Sequence, residues 1–223
     1  SVAIMVLFEE GKLLLDDPVS KYLPAFRKQQ VLATFNEIDT TYTTVPAKSE
    51  ITIRQLLTHT SGLGYAQIGS KEANAIYAKA SLTAGIGVVG DDLLSAMNRL
   101  GKLPLMHQPG ERWTYGLNTD LLGCLVEQIA GKTLDQFFKE KIFEPLGMKD
   151  THFHLPAAKA NRLVKLYREL PGGKLEKSAG NMLNGRTITP DYPLEGSTYY
   201  SGGAGLSSTI EDYAIFLQML LNG

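Results

Sequence analysis

"ERWTYGLNTDLLGCLVEQIAGK" (residues 111–132) decides how the rest of the chain is read. Leu121, Leu122, Leu125, Val126 and Ile129 recur at the spacing of one helical face, which predicts a buried helix over 118–131. Gly131 stands where such a helix ends. A turn, "HQPGERW" (107–113), leads the chain to Tyr115. Asn118 then falls where a capping side chain belongs. Cys124 lies inside the apolar pattern, is the single cysteine, and reads as a small core residue.

Outward from this helix the pattern stays mainly helical, with a few strands. Downstream, Thr133 and Gln136 have the spacing of a capping box for "TLDQFFKEKIFEPLGM". Upstream, Asp91-Asp92 open a helix with Leu93, Leu94, Met97 and Leu100 on one face, and a further helix is expected near Lys71–Ala80. "ITIRQLLTHTSGLGY" (51–65) begins with another capping box, Thr52 with Gln55, and stops at Ser61-Gly62. "VLATFNEIDTTYTTVP" (31–46) is rich in β-branched and aromatic residues around Asn36–Asp39, which predicts a hairpin. At the front, Val2–Gly11 reads as a helix apolar nearly all round and hence buried on most sides. Asp17 and Pro18 then start a short helix to about Leu23. Residues 151–200 read as strands and loops, and Ser208, with Glu211 three residues on, caps a last helix over Ile210–Asn222.

The 223 residues are 43% apolar and 20% charged, with a net charge of −1. Lys and Arg are scattered rather than gathered on one face, which argues against nucleic acid or an anionic membrane as partner. No apolar run approaches the roughly 20 residues of a membrane span. Val2–Phe8 lacks the preceding basic residues and following small-residue site of a signal peptide.

Three stretches together carry a family resemblance: "SVAIMVLFEEGKLLLDDPVSKYLP" (1–24), "ITIRQLLTHTSGL" (51–63) and "PGERWTYGLNTDLLGCLVEQIAGKTLDQFFKEKIFEPLGMKDTHF" (109–153). They resemble the serine β-lactamase-like hydrolases: class C β-lactamases, D-alanyl-D-alanine carboxypeptidases and related carboxylesterases. "GGAGLSSTIEDYAIFLQMLLNG" (202–223) fits a later helix of the same family. The resemblance implies an antiparallel sheet flanked by helices plus a mostly helical domain, with the active site between them. On this reading the chain is an internal part of that fold, holding the helical domain and part of the α/β domain. Residues 1–26 form the central helix and following turn, 27–50 the hairpin, 51–150 the helical domain, and 151–223 strands, loops and the final helix.

The family's nucleophile and its amine partner are spaced S-x-x-K at the N-terminus of the helix that residues 1–13 resemble. That spacing puts both on one helix face, beside the partial positive charge of the helix end. Here the pair would fall one to two turns ahead of Ser1, and no serine of the chain is followed three residues later by lysine. A Lys/His-Thr-Gly or Trp-Gly-Gly strand, expected after the last helix, is also not in the sequence.

Tyr115 matches the tyrosine of the family's Tyr-x-Asn/Ser motif, which implies proton transfer to and from the nucleophile. An ordinary tyrosine is phenolate in about one molecule in a thousand at pH 7; a nearby ammonium and a helix N-terminus favour the anion. Two residues after Tyr115 stands Leu117 rather than Asn or Ser, which favours an ester over a β-lactam or D-Ala-D-Ala peptide as the small-molecule substrate. Acyl-enzyme chemistry of this kind needs no metal or organic cofactor.

Other residues carry less. His59 reads as an end-of-helix histidine bonding backbone, and Trp113 as a packing residue. His152 and His154 alternate along an expected strand and so share one face, too few ligands for a metal site. The glycines of "SGGAGLSST" (201–209) read as a tight turn close to the active site of the parent enzyme. The 223 residues alone are expected to be inactive, and exposed apolar residues at the front helix predict self-association. The rival expectation is a non-catalytic helical binding domain, or a proteolytic fragment.

Overall fold

A computed structural model describes residues 1–183 and 186–223. Among the described residues helices of all kinds make up 38% and strands 13%, so the molecule is mainly helical. Among the described residues the named strands form three antiparallel pairs: β1 (Gln30–Phe35) with β2 (Tyr42–Pro46), β3 (Tyr167–Leu170) with β4 (Lys174–Lys177), and β5 (Asn181–Leu183) with β6 (Arg186–Ile188). The sequence reading of 151–200 extends across residues 184–185, which lie outside the described residues.

The helix predicted over 118–131 is α5 (Asn118–Ala130), and it is the centre of the core. Its residues 120–126 are all buried, Cys124 among them, because it is packed on several sides. Around it lie α1 (Val2–Glu9), α2 (Ile53–Leu57), α4 (Leu93–Leu100) and α6 (Leu134–Phe138). Gly131, at φ 64°, closes it in the left-handed conformation that glycine adopts at no steric cost.

α1 differs from its sequence reading. Ala3, Ile4 and Leu7 are buried on α5, but Met5 and Phe8 are each 37% exposed, so the helix is covered on one face rather than most. The i, i+3/i+4 spacing of the buried set sets that limit. Ser1 makes no side-chain cap; its carbonyl accepts from Ile4 and Met5. After the helix, Asp17 does not cap a helix running to Leu23. Its carboxylate gathers the Leu14 N–H, Lys21 and Tyr22, and only a single 3₁₀ turn, Val19–Lys21, forms.

The β1–β2 hairpin forms as expected, with Val31 opposite Val45 and a bulge between Leu32 and Thr34. The Leu32 N–H and Leu105 carbonyl, and the Leu105 N–H and Gln30 carbonyl, tie β1 to the segment before Tyr115 at 2.8 Å each. α2 has the full reciprocal capping box, Thr52 with Gln55. α3 (Lys71–Lys79) is capped by Ser70, α4 by Asp92 and α6 by Thr133. Past α6 the chain continues through a π-helical turn, Lys139–Phe143, and α7 (Glu144–Leu146) to Gly147 at φ 71°.

α8 (Ile210–Asn222) is capped by Thr209, not by Ser208. The Ser208 hydroxyl is engaged with Thr151 at 2.7 Å, and the extended Thr209 is free to accept from the Asp212 N–H. His152 and His154 do not share a strand face. His152 joins Ser207 in an isolated bridge and its Nε2 accepts from Lys159, whereas His154 meets Ser197.

Candidate active site

Two segments build the surroundings of Tyr115. The 59–64 stretch follows α2, and the 106–117 stretch precedes α5. Four backbone bonds zip them together: Met106 N–H to the Gly62 carbonyl, Gly110 to Thr60, Thr114 to His59, and Leu117 to Gly64, at 2.7, 2.7, 2.8 and 3.0 Å. Such closeness needs missing side chains. A Cβ on Gly116 would lie 2.1 Å from the Leu63 carbonyl oxygen, and one on Gly62, itself at φ 90°, would lie 2.4 Å from that of His107.

Tyr115 emerges from this clamp with its ring against two others. His59 stacks on it with centroids 5.7 Å apart and 9° from parallel, and Tyr65 at 5.7 Å and 11°. Trp113 leans on both Tyr115 and His59 and is 65% exposed, so it packs on these rings at the surface rather than in the core. The Tyr115 side chain stays half-exposed and lines an open cleft of about 490 Å³. Residues 32–35 of β1, with Tyr65, Met106, Arg112 and Thr114, form other parts of its wall. Burial, helped by the nearby Asp120 carboxylate, pushes the Tyr65 hydroxyl up to about 12, so Tyr65 stays protonated at neutral pH.

His59 does not bond backbone through its ring. Its Nδ1 accepts from the Asn118 amide at 3.0 Å. The Asn118 carbonyl oxygen accepts from the Ser61 hydroxyl at 2.5 Å, and Ser61 in turn accepts from the Leu63 N–H. Ser61 and Asn118 are fully buried. Asn118 therefore is not the cap of α5; Leu117 holds that position, and Asn118, one residue inside, turns its amide into the core. An Asn and a Ser separated by 57 residues gave no sequence signal of this pairing.

The glycine-rich turn 201–205 packs on the first turn of α5. The buried Asp120 carboxylate accepts from the Ser201 hydroxyl at 2.6 Å, with the backbone N–H groups of Gly202 and Gly203 beside it, and the Ser201 oxygen accepts from the N–H groups of Gly203 and Ala204. A Cβ on Gly202 would sit 2.0 Å from the Thr119 carbonyl oxygen. Burial raises the Asp120 carboxyl above its ordinary range, against the effect of these donors.

The first turn of α1, where the family resemblance puts the nucleophile's helix end, lines a different cleft of about 530 Å³. Ser1, Val2 and Ala3 meet Phe138, Phe143, Tyr213 and Phe216 there. Among the described residues no group of three His, Cys, Asp or Glu side chains is placed to hold a metal ion.

The whole chain, residues 1–223, matches the family model described as Beta-lactamase. Esterase EstB of Burkholderia gladioli is 32% identical over 95% of this chain and 52% of its own length. Acyltransferase calJ of Penicillium decumbens is 31% identical over 100% of this chain and 50% of its own length. The solved structure of EstCE1, a hydrolase with promiscuous acyltransferase activity, superposes with a TM-score of 0.77 at 28% identity, covering 98% of this chain and 55% of that one. The chain thus spans about half the length of the curated relatives it matches. The architecture is that of the β-lactamase and penicillin-binding-protein fold.

Proposed function

Because the chain belongs to the Beta-lactamase family, we propose that it is part of a serine hydrolase that cleaves an ester through an acyl-enzyme, with Tyr115 in proton transfer. The nucleophile and its lysine are supplied by an S-x-x-K pair ahead of α1. The serine hydroxyl adds to the ester carbonyl, the alcohol leaves with a proton, and water then releases the acid. Residues 51–150 contribute most of the helical domain and the rest a small part of the α/β domain.

The observation that carries this reading is the setting of Tyr115: a phenol at an open cleft, with its ring stacked against those of His59 and Tyr65. A side chain that merely packed would not need so fixed a ring and so free a hydroxyl. Leu117 is fully buried and cannot hold a substrate amide, which favours an ester over a β-lactam. The esterase and acyltransferase relatives support the same class, and an alcohol could take the place of water as acyl acceptor. The 223 residues alone are inactive on this reading. Labelling the full-length protein with a fluorophosphonate, followed by peptide mapping, tests it. A labelled serine ahead of α1 is expected; labelling confined to a serine within these residues, or none at all, refutes the assignment.

A further inference from the structure

We propose that His59 is a positioning residue for Tyr115, fixed by Asn118 and Ser61 as the neutral imidazole with its proton on Nε2. The inference rests on the reading of Tyr115 as the proton-transfer group.

The direction of each hydrogen bond follows from chemistry. Ser61 accepts from the Leu63 N–H, so its hydroxyl proton is free to go to the Asn118 carbonyl oxygen. That leaves the Asn118 NH₂ facing His59, and a nitrogen that receives an N–H carries no proton itself. Nδ1 is therefore the acceptor and Nε2 holds the hydrogen. Protonating Nδ1 would set two donors against each other. The relief is an amide rotation, which turns the NH₂ toward Ser61 and leaves the Ser61 hydroxyl proton without its acceptor inside a fully buried site.

The backbone adds a second constraint. His59 sits at φ 55°, in the left-handed region where a non-glycine side chain is uncommon. Its N–H donates to the Leu56 carbonyl and its carbonyl accepts from Thr114, the residue before Tyr115. Main chain and ring of His59 thus both bear on the Tyr115 segment. The groups facing the imidazole are Tyr115 and Trp113 from the segment before α5 and Asn118 from α5. Burial alone holds the imidazole below its ordinary range, and no charged neighbour opposes it.

The functional consequence is a phenol whose plane is set by an uncharged neighbour. A plain alanine at 59 frees the ring on one side. Misplacing a reacting group by about 1 Å can cost about 10²-fold in rate.

The test uses the full-length protein proposed above. Long-range ¹H–¹⁵N spectra of ¹⁵N-histidine protein should show His59 with a pyrrole-type Nε2 and a pyridine-type Nδ1. Asn118→Asp replaces the donor by an acceptor and should move the proton to Nδ1. In turnover, His59→Ala should lower kcat about 10²-fold with little change in KM, and His59→Phe, which keeps a flat ring on Tyr115, should restore most of it. Circular dichroism identifies any variant that fails to fold, and the spectra of the unsubstituted protein then still decide the tautomer. A proton on Nδ1 in that protein, or an alanine variant with unchanged kcat, overturns the inference. If Tyr115→Phe leaves turnover intact, the reading of Tyr115 itself has failed, whatever His59 does.

Discussion

The carbonyl oxygen of Leu63 lies 2.1 Å from the point where Gly116 would carry a Cβ. Real Cβ atoms do not approach an oxygen so closely, so the bare α-carbon of Gly116 is what lets Tyr115 sit against the 59–64 stretch. Gly116→Ala should force the two stretches apart at a cost of about 1–3 kcal/mol. Urea denaturation of the chain measures it, and an unchanged midpoint would contradict the steric account.

Asn118 is the second hinge of the site. Truncation to alanine leaves the Ser61 hydroxyl without its acceptor in a closed interior and removes the donor to His59. Unsatisfied buried groups of this kind cost about 1–3 kcal/mol each. Asn118→Ala should lower stability by at least that much, whereas Thr58→Ala, at an exposed pair of hydroxyls, should change it little. Comparable losses from the two substitutions would speak against a buried network.

The histidines set a pH dependence. Burial lowers His59, and burial followed by the Lys159 ammonium lowers His152. The unfolded chain, with histidines near pKa 6.5, binds protons in a range where the folded chain does not. Stability from these two groups is therefore full above about pH 6.5 and declines as pH falls through that value toward their folded pKa values. Thermal melts across pH 5–8 should show the loss on the acid side, and His59→Phe should reduce it. A folded state that gains stability on acidification through this window would reverse the sign.

In the full-length protein, Tyr115→Phe removes the hydroxyl and leaves the ring stack intact. Loss of a general acid–base group lowers turnover about 10²–10⁴-fold. The loss should fall on kcat, with KM nearly unchanged, because the cleft wall keeps its shape. Steady-state kinetics with a chromogenic ester separate the two, and a pure KM effect would make Tyr115 a binding residue only.

The outer face of α8 makes a last prediction. Ile210 and Leu221 are 91% and 80% exposed, and Tyr213, Leu217 and Leu220 line the same stripe. A helix with so much apolar surface in water associates. Light scattering of the chain at rising concentration should show a growing mass, and Leu217→Glu with Leu221→Glu should abolish the growth. A monomer at all concentrations would leave the stripe without consequence.

Local features were legible where they depend on near neighbours. The 118–131 helix, the hairpin around Asn36–Asp39, the Thr52–Gln55 box and the burial of Cys124 all appear as read, since each follows from spacing or turn chemistry over a few residues. The capping position of α8 shifted by one residue because Thr151, 57 positions away, occupies Ser208.

The order of residues alone determined the mainly helical pattern, the family resemblance and Tyr115 as the residue to examine. Only tertiary structure decided what holds that tyrosine. Tyr65, His59, Ser61 and Asn118 meet because two stretches some fifty residues apart are zipped by backbone bonds, and Gly62 and Gly116 leave room for it. Stacking and hydrogen-bond direction act through space over a few ångströms, and no periodicity along a chain records which distant side chains will share that space.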